Sequence, residues 1–152
     1  MKSQFEFGYS SKWDKRFLEL SKLIASWSKD PSTQTGAVIV RPDRTIISVG
    51  YNGFPKGMCD EDYLYADREK KYSRIVHCEM NAVLNAKHTV EGCTLYTWPF
   101  ASCDRCAVHM IQAGITQFVF PKLPKKLEGR WKESVAKTKS YFEEAHLKWR
   151  EY

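Results

Sequence analysis

The sequence predicts an α/β fold built on one five-stranded mixed sheet with helices on both faces. Two observations carry that reading. Short runs rich in β-branched and aromatic residues alternate with segments whose apolar residues repeat at helical spacing. The first two β-rich runs are joined by a turn alone, which makes them antiparallel. Later connections contain a helix, and crossovers of that kind join parallel strands. At 152 residues, with no repeat or linker, the chain reads as one domain over 1–152.

In order, residues 1–12 are polar with scattered aromatics and no period, and read as a loosely ordered arm. Over residues 13–27, Trp13, Phe17, Leu20, Leu23, Ile24 and Trp27 fall at helical spacing. Lys29-Asp30-Pro31 ends that helix, because the residue before a proline avoids the helical region. Gly36–Val40 and residues 45–51 form a hairpin around Arg41-Pro42-Asp43-Arg44. Residues 52–75 read as a long charged loop with room for one helical turn, and a loop of that length is usually functional. A buried helix over 76–86 is expected to pack through Met80, Val83 and Leu84. A strand over 93–97 follows, then a helix over 102–113 that ends at Gly114. Residues 115–120 form a strand stopped by Pro121. A Lys- and Pro-rich connection, 122–129, leads to a helix from about 131 to 144 and a last strand within 146–152.

Composition narrows the classes of function. Hydrophobic content of 43% and charged content of 28% suit a globular domain, with no membrane span and no secretory signal at the N-terminus. Five cysteines, an odd number with two in C-x-x-C, fit reduced thiols and a metal, hence a cytoplasmic protein. A net charge of +6 suits an anionic ligand, from a nucleotide phosphate up to nucleic acid.

The chemistry concentrates in His77-Cys78-Glu79 and in Cys103-Asp104-Arg105-Cys106. His77, Cys103 and Cys106 make three ligands of a zinc tetrahedron whose fourth position stays open to water. Zinc lowers the pKa of such a water toward neutrality. Glu79 is too close in sequence to His77 for comfortable ligation and is the candidate catalytic proton carrier. The spacing matches the H-x-E and C-x-x-C signature of zinc nucleobase deaminases. On a helix turning ~100° per residue, His77 and Glu79 point about 200° apart, so a shared site belongs at the helix N-terminus. Cys103 and Cys106 stand one turn apart at the start of the next helix, and two positive helix ends favour thiolates there. Alone, a C-x-x-C reads as a structural zinc or redox pair and a histidine as a packing residue. Together with H-x-E they point to one catalytic zinc.

The flanks extend the match. The stretches Asp30-Pro-Ser-Thr-Gln-Thr-Gly-Ala-Val-Ile-Val40, Gly50-Tyr-Asn-Gly-Phe-Pro-Lys-Gly57 and Val76-His-Cys-Glu-Met-Asn-Ala-Val83 resemble the deoxycytidylate (dCMP) deaminase family. The resemblance continues through Cys103-Asp-Arg-Cys106 and Ile111-Gln-Ala-Gly-Ile115, and spans residues 14–120. It implies a cytidine-deaminase-like fold and zinc-dependent hydrolysis of dCMP to dUMP and ammonia, supplying thymidylate synthesis. One Zn2+ per chain, a homo-oligomer, and dCTP and dTTP as effectors are implied in the same way. So is the mechanism: activated water attacks C4 while Glu79 protonates N3 and helps ammonia leave. By the same resemblance Asn52 contacts base and sugar, and the backbone N–H of Cys78 faces the substrate. Ser32 and Thr33, at the mouth of the first strand, and Arg68 and Arg74, in the basic segment 67–74, are the candidates for holding the phosphate. One departure stands out. Ser102 occupies the position where the family has proline, in a loop one residue longer. Serine is a good N-cap, so the helix start is expected to survive.

Two rival readings use the same motif. One keeps the zinc chemistry but changes the substrate to cytidine, guanine, or a base in single-stranded RNA or DNA, which positive charge and aromatics would serve. The only basic stretch with an interleaved aromatic is 122–132, so nucleic acid is the weaker partner. The other is a non-catalytic zinc-stabilised module, against which the retained Glu79 argues. Cys59 and Cys93 are left over, and with His88 and His109 they do not assemble a second metal set.

Overall fold

The computed structural model describes residues 11–152. The expected N-terminal arm lies mostly outside the described residues, and Ser11 and Lys12 already belong to the first helix. The sheet is five-stranded and mixed, as expected. It is built from β1 (Gly36–Val40), β2 (Ile46–Tyr51), β3 (Thr94–Trp98), β4 (Gln117–Phe120) and β5 (Lys148–Glu151), in the order β2-β1-β3-β4-β5. β1 pairs antiparallel with both β2 and β3, while β3–β4 and β4–β5 are parallel. The hairpin and the helical crossovers account for both kinds of pairing.

Alternation along the central strands splits the core into two layers. Ala37 and Ile39 of β1, Leu95 of β3 and Phe118 and Phe120 of β4 face the larger layer, with Phe142 stacked on Phe118 at 3.9 Å. Helices α4 (Cys78–Asn85), α5 (Asp104–Gln112) and α6 (Glu128–Glu144) cover it. Val38, Val40, Tyr96 and Val119 face the other layer, covered by Phe17, Leu18 and Ile24 of α1 (Ser11–Ala25). The expected apolar stripe of α1 is therefore narrower than read. Leu23 and Trp27 are more than half exposed, since Leu23 lies well off the Phe17–Ile24 face and the helix has ended before Trp27.

Three further elements differ from expectation. Residues 52–75 hold two short helices rather than one turn, α2 (Asp62–Ala66) and α3 (Arg68–Arg74). The Asp67 carboxylate caps α3 by accepting the Lys70 N–H at 3.0 Å, and Phe54 stacks on Tyr65 at 4.0 Å beneath them. On α4 the fully buried side chains are Cys78, Glu79 and Ala82; Met80 and Val83 pack partly buried against the core as expected, and Leu84 points to solvent. That face is small because α4 runs hard against β2. A Cβ on Gly50 would sit 2.4 Å from the Cys78 carbonyl oxygen and 2.5 Å from the Ala82 nitrogen. Finally, α6 starts at Glu128, directly after a 3-10 turn over Lys125–Leu127. Gly114 does follow α5 with φ +94°, the left-handed stop expected of it. Among the described residues no helix is long and apolar enough to cross a membrane.

Candidate metal centre and pocket

Both metal-binding motifs sit at helix starts, as the spacing demands. His77 is the N-cap of α4, with φ −69° and ψ 157°, and its side chain caps nothing. The residue before it is fixed to the end of the hairpin by a two-way backbone bridge. Gly53 N–H donates to Val76 O at 3.1 Å, and Val76 N–H donates to Gly53 O at 2.8 Å. The Asn81 amide ties the first turn of α4 to Tyr51 O at 2.7 Å. The imidazole is thus free to point across at α5.

Cys103, not Ser102, is the N-cap of α5. Its sulfur accepts the Cys106 N–H at 3.4 Å, so the ligand itself does the capping expected of the serine. Ser102 is buried with its hydroxyl unpartnered among the described residues. Its carbonyl is held from α6 by Thr138 Oγ1 at 2.8 Å. Asp104 is held there too, its N–H donating to Ser134 Oγ at 3.0 Å. Helix α6 therefore fixes the start of α5.

These supports bring three ligand atoms together. His77 Nδ1 lies 3.4 Å from Cys103 Sγ and 3.3 Å from Cys106 Sγ, and all three lie within 4.8 Å of one another. A tetrahedral zinc with ordinary Zn–N and Zn–S bonds separates such atoms by about 3.6 Å. The set fits zinc. Its protonation points the same way. A hydrogen bond from the Cys106 thiol, seconded by His77, pulls Cys103 down to about 4. The same bond and burial push Cys106 up. The hydrogen bond to Cys103 raises His77 to about 9 despite its burial. Metal ligation requires deprotonated thiols and a neutral imidazole, so a divalent metal would displace the protons this cluster shares.

Glu79, buried at 5% exposure, shares a pocket with His77 and Cys103. Aromatic side chains from the end of β3, the loop after it and α6 wall it: Trp98, Phe100 and Trp131, with Phe100 and Trp131 packed at 5.3 Å. Ser32, Thr33 and Asn52 also line it, so with Glu79, His77 and Cys103 six sequence candidates converge there. Asn52 is already engaged. Its Oδ1 accepts Thr35 N–H at 2.9 Å and its Nδ2 donates to Thr33 O at 2.9 Å, so the amide holds the loop before β1 in place. Cys78 is buried in the first turn of α4, outside the pocket lining. Burial pushes its thiol up, which suits packing rather than nucleophilic use. Arg68 lies in an adjoining cavity, and Arg74 lines neither, its guanidinium donating to Lys70 O at 3.0 Å. Sequence reading flagged segment 67–74 without singling out Lys71 and Tyr72, and it missed Arg130 and the aromatic walls. Arg130-Trp131 carried a faint signal, as the end of the basic stretch 122–132.

Residues 11–122 match the family described as the cytidine and deoxycytidylate deaminase zinc-binding region. The chain is 43% identical over 135 residues to an uncharacterised deaminase encoded 3′ of luxG in Aliivibrio fischeri, covering 89% of this chain and 90% of that protein. It is 40% identical over 115 residues to human deoxycytidylate deaminase, covering 71% of this chain and 64% of the human one, so it spans under two thirds of that relative. The crystal structure of a dCMP deaminase from cyanophage S-TIM5, in complex with dCMP and dUMP, superposes with TM-score 0.72 at 15% identity, covering 95% and 99% of the two chains. That likeness concerns the fold.

Proposed function

The chain belongs to the cytidine and deoxycytidylate deaminase family, and from that premise we propose that it hydrolyses dCMP to dUMP and ammonia with one zinc ion per chain. The observation that carries this is the meeting of the His77, Cys103 and Cys106 ligand atoms with the buried Glu79 in one aromatic-walled pocket. When bound by those three residues, zinc supplies Lewis acidity that lowers the pKa of water at the open position toward neutrality. Glu79 takes the proton that the attacking water gives up and returns it at N3 of the cytosine. A second transfer to the C4 amino group lets ammonia depart, which balances cytosine plus water against uracil plus ammonia. Trp98, Phe100 and Trp131 enclose the base and keep bulk water from competing. Asn52 keeps the loop before β1 in register, which places Ser32 and Thr33 at the pocket's edge.

Both core layers share one sheet, which supports reading the described residues 11–152 as one domain. A centre that uses Cys103 and Cys106 as ligands needs them reduced, which suits a cytoplasmic setting. Exposed Leu23 and Trp27, with Trp27 edge-on to Tyr51 at 6.1 Å, support a homo-oligomer.

Ammonia release from dCMP, deoxycytidine and cytosine-containing oligonucleotides tests the assignment. Catalytic efficiency on dCMP is expected to exceed that on deoxycytidine by ~10² or more, because remote binding energy positions the reacting base. Equal efficiency on the two, or a preference for oligonucleotides that falls steeply with salt, would contradict it.

A further inference from the structure

The pocket holding Glu79 opens into a second cavity, and the two share Ser32, Lys71, Tyr72 and Arg130. Three cations gather on the Tyr72 ring at this junction: Arg68 at 5.3 Å from the centroid, Arg130 at 5.4 Å and Lys71 at 5.5 Å. The Tyr72 hydroxyl accepts Arg68 Nε–H at 3.1 Å and also accepts the Arg130 guanidinium. Lys71 is neutralised by Asp30 at 3.1 Å. Neither Arg68 nor Arg130 has a carboxylate within ion-pair reach among the described residues. Two guanidiniums on one phenol oxygen repel each other, and an anion between them would relieve that repulsion. Their combined charge matches a phosphate dianion. Next to Arg130, Trp131 walls the catalytic pocket, and its indole N–H is buried with no hydrogen-bond partner among the described residues.

We propose that Arg130, with Arg68 beside it, reads the 5′-phosphate of the bound nucleotide, and that Tyr72 positions the Arg130 guanidinium. This rests on the mononucleotide reading above. It adds the first turn of α6, the helix that also fixes the Cys103 end of the metal site, to phosphate recognition and keeps only Arg68 of the two α3 arginines. A planar guanidinium offers paired donors to phosphate oxygens, which a lysine does not. Arg74, turned back onto its own helix, takes no part.

The test compares wild type with Arg130→Gln, Arg130→Lys and Tyr72→Phe. In Arg130→Gln the ratio of efficiencies on dCMP and deoxycytidine falls by ~10- to 100-fold, the worth of one charge-assisted contact, mostly through KM. Arg130→Lys recovers part of that loss, and Tyr72→Phe loses a smaller share by freeing the guanidinium. Calorimetric binding of dUMP against deoxyuridine reads the same contact without turnover, and Arg130→Gln loses the preference for dUMP. A wild-type protein that prefers dUMP, with an Arg130→Gln variant that keeps the full preference, overturns this assignment alone. A wild-type protein with no preference for either phosphorylated ligand overturns the mononucleotide reading and this one with it.

Discussion

Lys71 Nζ lies 3.1 Å from Asp30 Oδ1, with both side chains more than nine-tenths buried. The pair joins α3 to the loop between α1 and β1. The same carboxylate accepts Ser32 N–H at 2.8 Å and, through its other oxygen, the Asn52 amide at 3.4 Å. One buried acid therefore anchors three segments that line the pocket, and each segment supplies a residue to the substrate's path.

Removing either charge alone leaves the other buried and unpaired. Asp30→Asn and Lys71→Met are each expected to lower stability by about 3–5 kcal/mol, and the double variant to recover part of that loss. Urea unfolding at constant m-value measures it. A single variant costing under ~1 kcal/mol would show that the pair is not buried in solution.

Gly50 sets how closely α4 lies on β2. Gly50→Ala places a methyl within 2.4 Å of the Cys78 carbonyl, so α4 has to lift, carrying Glu79 and the His77 N-cap with it. A loss of about 1–3 kcal/mol of stability is expected, with a larger proportional loss of turnover than of zinc content. Unchanged activity in Gly50→Ala would mean that the proton carrier does not depend on this close packing.

Much of this was legible in the sequence where local pattern and tertiary contact agree. Gly36–Val40 reads as a strand, and its uninterrupted burial follows from its central place in the sheet. The H-x-E and C-x-x-C spacings place both motifs at helix starts, and the ligand atoms do converge there. What was not legible came from contacts distant in sequence. The most buried face of α4 is set by its approach to Gly50, which leaves Met80 and Val83 at its margin and turns Leu84 to solvent, so Leu84 misleads. The α3 helix is polar and seven residues long, too short for a periodic signal. Arg130 meets Tyr72 only because α6 folds back across the pocket, 58 residues further along the chain.

The metal site can be tested apart from catalysis. Cys106→Ala removes a ligand and the thiol that holds Cys103 low, so zinc content per chain should fall to background by atomic absorption. His77→Ala should do the same. Stoichiometric zinc retained by Cys106→Ala would show that this cysteine is not a ligand.

The most direct measurement is the turnover of zinc-loaded Glu79→Gln on dCMP. Glutamine keeps the size and hydrogen-bonding shape of the side chain but cannot accept and return the water's proton. Zinc content and thermal stability should match wild type, while kcat falls by ~10² to 10⁴, the range general acid–base catalysis supplies. A Glu79→Gln protein that holds its zinc and releases ammonia from dCMP at a near wild-type rate would contradict the account.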